Sequence, residues 1–524
     1  MKTNQKLTRP WILVSMVLLA GLNSRAADGV WTNNATGNWV DAVNWQDGVI
    51  ADGAGNTAAF VADMSEDRTI TLGGSPRIIG HLAITNLNAS SRQWTMSSSS
   101  GTQWLKYDAD GFGGGTSVLD IAASTTFNTG FFEGTNFIRK TGSGAFKLSN
   151  ANAGHFTGGI LVEEGTLRIN HSDALNGMAW VNLGGGDAPV TLAADNISTI
   201  NHCGIRLYAD STNTVTLSFG IANAIEFKNS LRFERQLVVN SANSSADIRL
   251  TALLYGYGGI YKTGPGSLRL ASYNNQTGPI VISQGRVLLQ QHNGAMSGGT
   301  VVLGDENTGA NSVGVNFGYG ISLGADRKFH FTTNGTGSAS IGTFAGSTSA
   351  STVAGTIQID RDISIGNGNL TGNGLTIGGV ISGVGAVQVG NSTGYTTRFS
   401  GANTYEGGTT IAGGKLTVLS SGKLGSGPVI VSAGATLDLD NGAAISDAAA
   451  LTLNVGTSTF GIVDLASGVT ESVGTLAING SLQYAGTYGA TGSGAKFIDD
   501  NHFVGTGMLV VLDGKPLPTT IVVR

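Results

Sequence analysis

The sequence predicts an all-β protein, a right-handed parallel β-helix, and three observations lead there. Short apolar alternations recur along the chain, glycine and asparagine interrupt them, and one arrangement of strand pairs occurs three times. In KTGSGAFKLSNANAGHFTGGILVEEGTLRI, residues 140 to 169, the pairs Phe146/Leu148, Ile160/Val162 and Leu167/Ile169 each sit two apart. That spacing turns both members of a pair to one face of a strand and the intervening residues to the other. Ser149 to Gly159 and Glu163 to Gly165 supply the Asn, Gly and Ser that turn the chain between strands.

Residues 262 to 289, KTGPGSLRLASYNNQTGPIVISQGRVLL, repeat this arrangement with Leu268/Leu270, Ile280/Ile282 and Val287/Leu289. A looser copy runs from 396 to 418, with Phe399, Thr409/Ile411 and Leu416/Val418 in register and Thr397 where the other copies are apolar. Gly158, Gly278 and Gly407 align, as do Gly165, Gly285 and Gly414, so the copies are 120 and then 129 residues apart. A set of short strands cannot cover its own apolar face and has to stack on neighbours of its kind. With about 20 to 25 residues per coil, each interval spans roughly five or six coils of one long stack. The right-handed winding is expected because parallel crossovers prefer that hand.

The residues K-T-G-x-G at Lys140 to Gly144 and Lys262 to Gly266, and the run from Gly401 to Val418, resemble the autotransporter-associated beta strand repeat of bacterial exported proteins. Residues 30 to 60 and 486 to 511 resemble the flanks of such arrays. The resemblance implies a passenger-like parallel β-helix and says little about activity.

Composition narrows the functional classes. Glycine accounts for 81 of 524 residues and proline for 8, and charged residues make up 12%, well below the roughly 25% of an ordinary globular domain. A hydrophobic fraction of 40% suffices for a continuous core and argues against disorder. A net charge of −5 without a basic block removes the footprint of a nucleic-acid binder. The single cysteine, Cys203, cannot form an internal disulfide and reads as a small buried filler.

At the N-terminus, Lys2, Lys6 and Arg9 precede the apolar run of residues 11 to 22, and Ser24-Arg25-Ala26 offers small residues at positions −3 and −1. This reads as a signal peptide, residues 1–26, cleaved after Ala26, with a run too short to span a bilayer. The expectation is a secreted or cell-surface protein, outer-membrane associated or free, that is not integral to the membrane after cleavage. No strand pattern of a membrane barrel is visible, and the closing LPTTIVVR lacks a sorting signal. Either the protein is released, or another protein holds it, or its end lies beyond this sequence.

Residues 27–95 are expected to form an N-terminal cap and first coils, 96–480 the main β-helix, and 481–524 a closing segment and a tail with Pro516 and Pro518. Trp31, Trp39 and Trp45 would cover the open end of the core, or, in the alternative, offer a stacking platform for sugars.

Four clusters are candidate sites, and none is assigned a catalytic, cofactor-binding or metal role. Lys147, Arg269 and Arg398 take equivalent outward positions and suggest a sparse track for an acidic polymer, or solvated charge that prevents edge pairing. EFKNSLRFERQ, residues 226 to 236, turns Phe227, Leu231 and Phe233 inward and Glu226, Lys228, Arg232 and Glu234 outward, as ion pairing between neighbouring strands explains. Asp108 and Asp110 in DADGFGGG, with Asp120 beyond, are spaced as calcium ligands can be but lack the rest of a calcium loop, so an Asp-Gly turn is expected. Asp499, Asp500 and His502 read as a polar loop, and His155 and His202 stand isolated. The expectation is therefore a structural or adhesive rod presenting an extended face to glycans or envelope components. It is expected to be without cofactor and not an enzyme; the alternative is a polysaccharide lyase or glycoside hydrolase on the same scaffold.

Overall fold

The structure is a computed structural model that describes residues 26–516 except 100, 102, 153, 196, 202–203, 209–213, 220–223, 252, 273, 291–298, 319, 344–348, 367–373 and 391–393. The signal peptide up to Arg25, His202, Cys203 and the tail beyond Pro516 lie outside the described residues.

The apolar doublets form strands that stack in parallel ladders around one interior. In the first ladder Ile138 pairs with Ile160, then Val181, Ile205, Leu231 and Leu254 follow in register, each about one coil further along the chain. All six side chains are buried in the same core. The second ladder stacks Phe127, Phe146, Leu167 and Leu192 in the same manner. The protein is a parallel β-helix, all-β, with no α-helix among the described residues and two short 3-10 turns at Ala42–Asn44 and Gln46–Gly48.

The first ladder ends with Asn274–Gln276. A third ladder starts at Thr199–Ile200 and continues through Ala224–Phe227 to Val313–Phe317. A fourth begins at Ser322–Leu323 and takes the first ladder's place in the winding, following Val313–Phe317 and preceding the second-ladder strand Arg327–Phe331. Third and fourth ladders join through the ten-residue strand Thr409–Val418, which pairs Thr409–Ile411 with Val429–Val431 and Gly414–Val418 with Ala435–Leu439.

This winding determines where the three sequence copies point. From Ile138 five steps along the first ladder reach Leu254, and the matching residue of the second copy, Ile260, then falls on the second ladder. From Ile260 five further steps reach Ile381, and the third copy's Val387 falls on the third ladder. Each interval is five coils plus one face. Successive copies therefore look out in different directions, and Lys147, Arg269 and Arg398 lie on the second, third and fourth ladders. The track that equal outward positions suggested does not form.

Both aligned glycine sets have steric reasons. A Cβ on Gly158, Gly278 or Gly407 would lie 1.9, 2.3 or 2.5 Å from backbone of the preceding coil. Gly165, Gly285 and Gly414 hold φ of 77°, 74° and 63°, in the left-handed region that a side chain disfavours.

Trp31, Trp39 and Trp45 are buried and pack edge-on at 5.4 and 5.1 Å around Phe60. The Trp39 and Trp45 indoles donate to the carbonyls of Ala51 and Trp39. Rings enclosed on this scale cannot stack on a sugar, so the platform alternative is excluded for these three. At the other end, Gly486–Tyr488 runs antiparallel to Leu509–Val511, which pairs in parallel with Glu471–Val473.

Candidate functional site

The candidate clusters of the sequence resolve into local structure. Lys147 pairs with Asp195 at 3.3 Å, and Arg269 with Asp247 at 2.9 Å. Asp108 and Asp110 accept the backbone N–H of Gly111 and Phe112, closing turns, and Asp120 accepts the Thr141 hydroxyl. Asp500 accepts the backbone N–H and hydroxyl of Thr491, and Asp499 meets His502 Nδ1 at 2.8 Å. His155 stacks on Trp104 with ring centres 3.7 Å apart. Among the described residues no three His, Cys, Asp or Glu side chains gather at metal-binding distance.

In the 226–236 segment the inward Phe227, Leu231 and Phe233 are buried as expected. The charges are arranged otherwise. Arg232 pairs with Glu234 of its own coil at 2.5 Å, and Glu226 accepts the hydroxyl of Thr251. Arg232 belongs to a feature that sequence reasoning missed.

On the outer face of the first ladder, Asn182, Arg206, Arg232 and Tyr255 follow one another in register. They line a cleft of about 380 Å³ together with Trp180, Tyr208 and the coil edges at Gly204 and Ser230. The Arg206 guanidinium lies over the Tyr208 ring at 5.2 Å, and that of Arg232 over Tyr255 at 5.8 Å, an attraction that holds arginine side chains flat. Trp180 packs against Phe137 with ring centres 4.7 Å apart. Gly159 makes room for this pair, since a Cβ there would lie 2.8 Å from Phe137 and 3.0 Å from Trp180. Tyr257 stands 78% exposed beside the row.

Aromatic faces together with planar hydrogen-bond donors suit flat, hydroxylated ligands: ring stacking takes up apolar sugar faces, while Arg and Asn address the polar rim. From Asn182 to Tyr255 the row spans three strand steps, roughly 14 Å at ~4.8 Å each. The sequence carries a signal for it: Ile205-Arg206-Leu207-Tyr208, Leu231-Arg232-Phe233 and Leu254-Tyr255 alternate buried apolar residues with outward Arg or Tyr. Their alignment depends on coil lengths that no local pattern displays.

A second unassigned feature is internal. Lys140 and Lys262, the lysines of K-T-G, are wholly buried. The Lys262 ammonium donates to the carbonyls of Thr263, Gly264 and Gln284, and that of Lys140 to those of Thr141, Gly142 and Glu164. Burial lowers Lys140 to about 8 and Lys262 to about 7. In the third copy Val389 occupies the equivalent place. These lysines close corners of the coil.

Comparison with known proteins agrees with the architecture. The passenger-associated-transport-repeat model matches residues 138–169, 260–289 and 396–418, the three copies described above. The chain is thus a parallel β-helix in which three stretches match the passenger-associated transport repeat. A stretch of 168 residues is 31% identical to the adhesin BmaC autotransporter of Brucella suis biovar 1 (strain 1330), covering 31% of this chain and 4% of that protein. No solved structure matches the chain.

Proposed function

We propose that the protein is an exported, adhesin-like β-helical rod that holds carbohydrate in the Trp180–Tyr255 cleft on its first ladder. The observation that carries this reading is the outward row of Asn182, Arg206, Arg232 and Tyr255, flanked by Trp180 and Tyr208, on a rigid ladder. The repeats and the likeness to an adhesin support a surface or secreted setting. In this reading residues 27–95 cap the stack, 96–480 form the rod, and the segment from 481 closes it.

A rigid scaffold suits recognition because the side chains that contact a ligand lose little freedom on binding. The test is retention of the purified protein on a panel of immobilised polysaccharides, with reducing-end release measured in parallel. Retention that falls in Trp180→Ala and Tyr255→Ala, without release, supports the reading. Retention indifferent to both changes would remove the cleft from the account, and steady release of reducing ends would favour a hydrolase or lyase. Fractionation of native cells tests export: the protein should leave the cytoplasm.

A further inference from the structure

We infer that the cleft takes the carboxylates of an acidic oligosaccharide, an inference that rests on the carbohydrate reading above and adds the charge of its ligand. Arg206 and Arg232 are direct register partners on neighbouring strands, only ~4.8 Å apart along the stack. Like charges placed opposite each other repel. Nothing among the described residues neutralises both: none of the lining residues is acidic, and the neighbouring Glu234 pairs with Arg232 alone.

Arg232 has a carboxylate partner in Glu234. Arg206 makes no ion pair among the described residues, and its Nε is buried without an acceptor. An anion seated on the terminal nitrogens of the two guanidiniums would relieve the repulsion. Tyr208 and Tyr255 each cover one face of a guanidinium. With the Arg232 Nε–H given to Glu234 and the Arg206 Nε buried, the terminal in-plane N–H groups are left for the ligand, and they match the oxygens of a carboxylate. Trp180 at one end of the cleft provides the face on which a sugar ring stacks. Two guanidiniums one strand apart, beside an aromatic surface, favour a chain of uronic acid units over an isolated anion.

The test compares tetragalacturonate with its methyl ester, which keeps the sugar shape and removes the charge, by calorimetric titration of the whole protein. The free acid is expected to bind about tenfold more tightly, the worth of one charge-assisted hydrogen bond, and its advantage should shrink as salt is raised. Arg206→Gln should collapse the preference between the two forms, while Trp180→Ala should weaken both. Circular dichroism and melting temperature of each variant report whether the coil is intact. Equal affinity for acid and ester would overturn the charge assignment and leave the carbohydrate reading standing. Binding of a heparin tetrasaccharide with no binding of galacturonate would overturn the carboxylate assignment. Absence of binding to these and to every polysaccharide of the panel would overturn both readings.

Discussion

The ammonium of Lys262 donates to the carbonyl of Gln284, 3.1 Å away and one coil further along the chain. Lys140 makes the same contact with Glu164 at 2.9 Å. Each lysine thus ties two successive corners, using donors that a glycine-rich turn lacks. Replacement by methionine preserves the apolar stem and leaves three carbonyls without their donor. We expect Lys262→Met and Lys140→Met each to lower unfolding free energy by roughly 1–3 kcal/mol, measured by urea denaturation.

The same burial produces a pH dependence. Lys262 titrates at about 7 in the folded chain, against 10.5 for an ordinary lysine. Between these values the folded chain holds fewer protons than the unfolded one, so stability rises as pH rises from about 7 toward 10.5. Lys140 adds a like contribution from about 8 upward. Denaturation midpoints across this window should climb in the native sequence and flatten in the double methionine variant.

Glu471 gives the opposite slope in a lower window. Its buried carboxyl accepts the backbone N–H of Ala444 and Ile445, and burial raises it from 4.5 to about 7. The folded chain therefore holds more protons than the unfolded one between these values, and stability falls as pH rises through them. Glu471→Gln should remove that decline, read as the difference in denaturation midpoint between pH 5 and pH 7 buffers.

Gly159 separates function from stability. A methyl group there would meet the rings of Phe137 and Trp180 at the cleft. Gly159 is buried, but the rings it faces are partly exposed and can turn outward, so Gly159→Ala is expected to lower stability by no more than about 1–3 kcal/mol, the usual cost of overpacking. Carbohydrate retention should drop several-fold. Unaltered retention would detach Trp180 from binding.

Trp31 tests the cap. It is wholly enclosed and touches Trp45 and Phe60. Trp31→Ala should cost about 3–5 kcal/mol, the usual loss for an excised core aromatic, in chemical denaturation. Protection from hydrogen exchange should fall first in the strand Gly53–Ala62 that Phe60 belongs to.

Much of the architecture was legible because its causes are local. A period of two marks inward residues wherever it occurs, and Phe146, Leu148, Ile160, Val162, Leu268 and Leu270 are all buried. The close-packed and left-handed glycines were visible as aligned positions. The lysine corners were visible only as a motif: Lys140 follows Ile138 at the inward spacing of two, but a lysine there reads as charge and not as core. The three tryptophans left two readings open until their enclosure by Phe60 excluded one.

Taken alone, the chain determined that it would coil, which residues would face the common interior, and that three stretches would share one construction. Only the tertiary structure decided the directions in which those stretches point, because a face is fixed by the summed lengths of all intervening coils. The same sum places Arg206 beside Arg232, residues 26 apart in the chain and adjacent in register. Pairing of strands is a short-range preference, whereas the meeting of outward side chains depends on every turn wound between them.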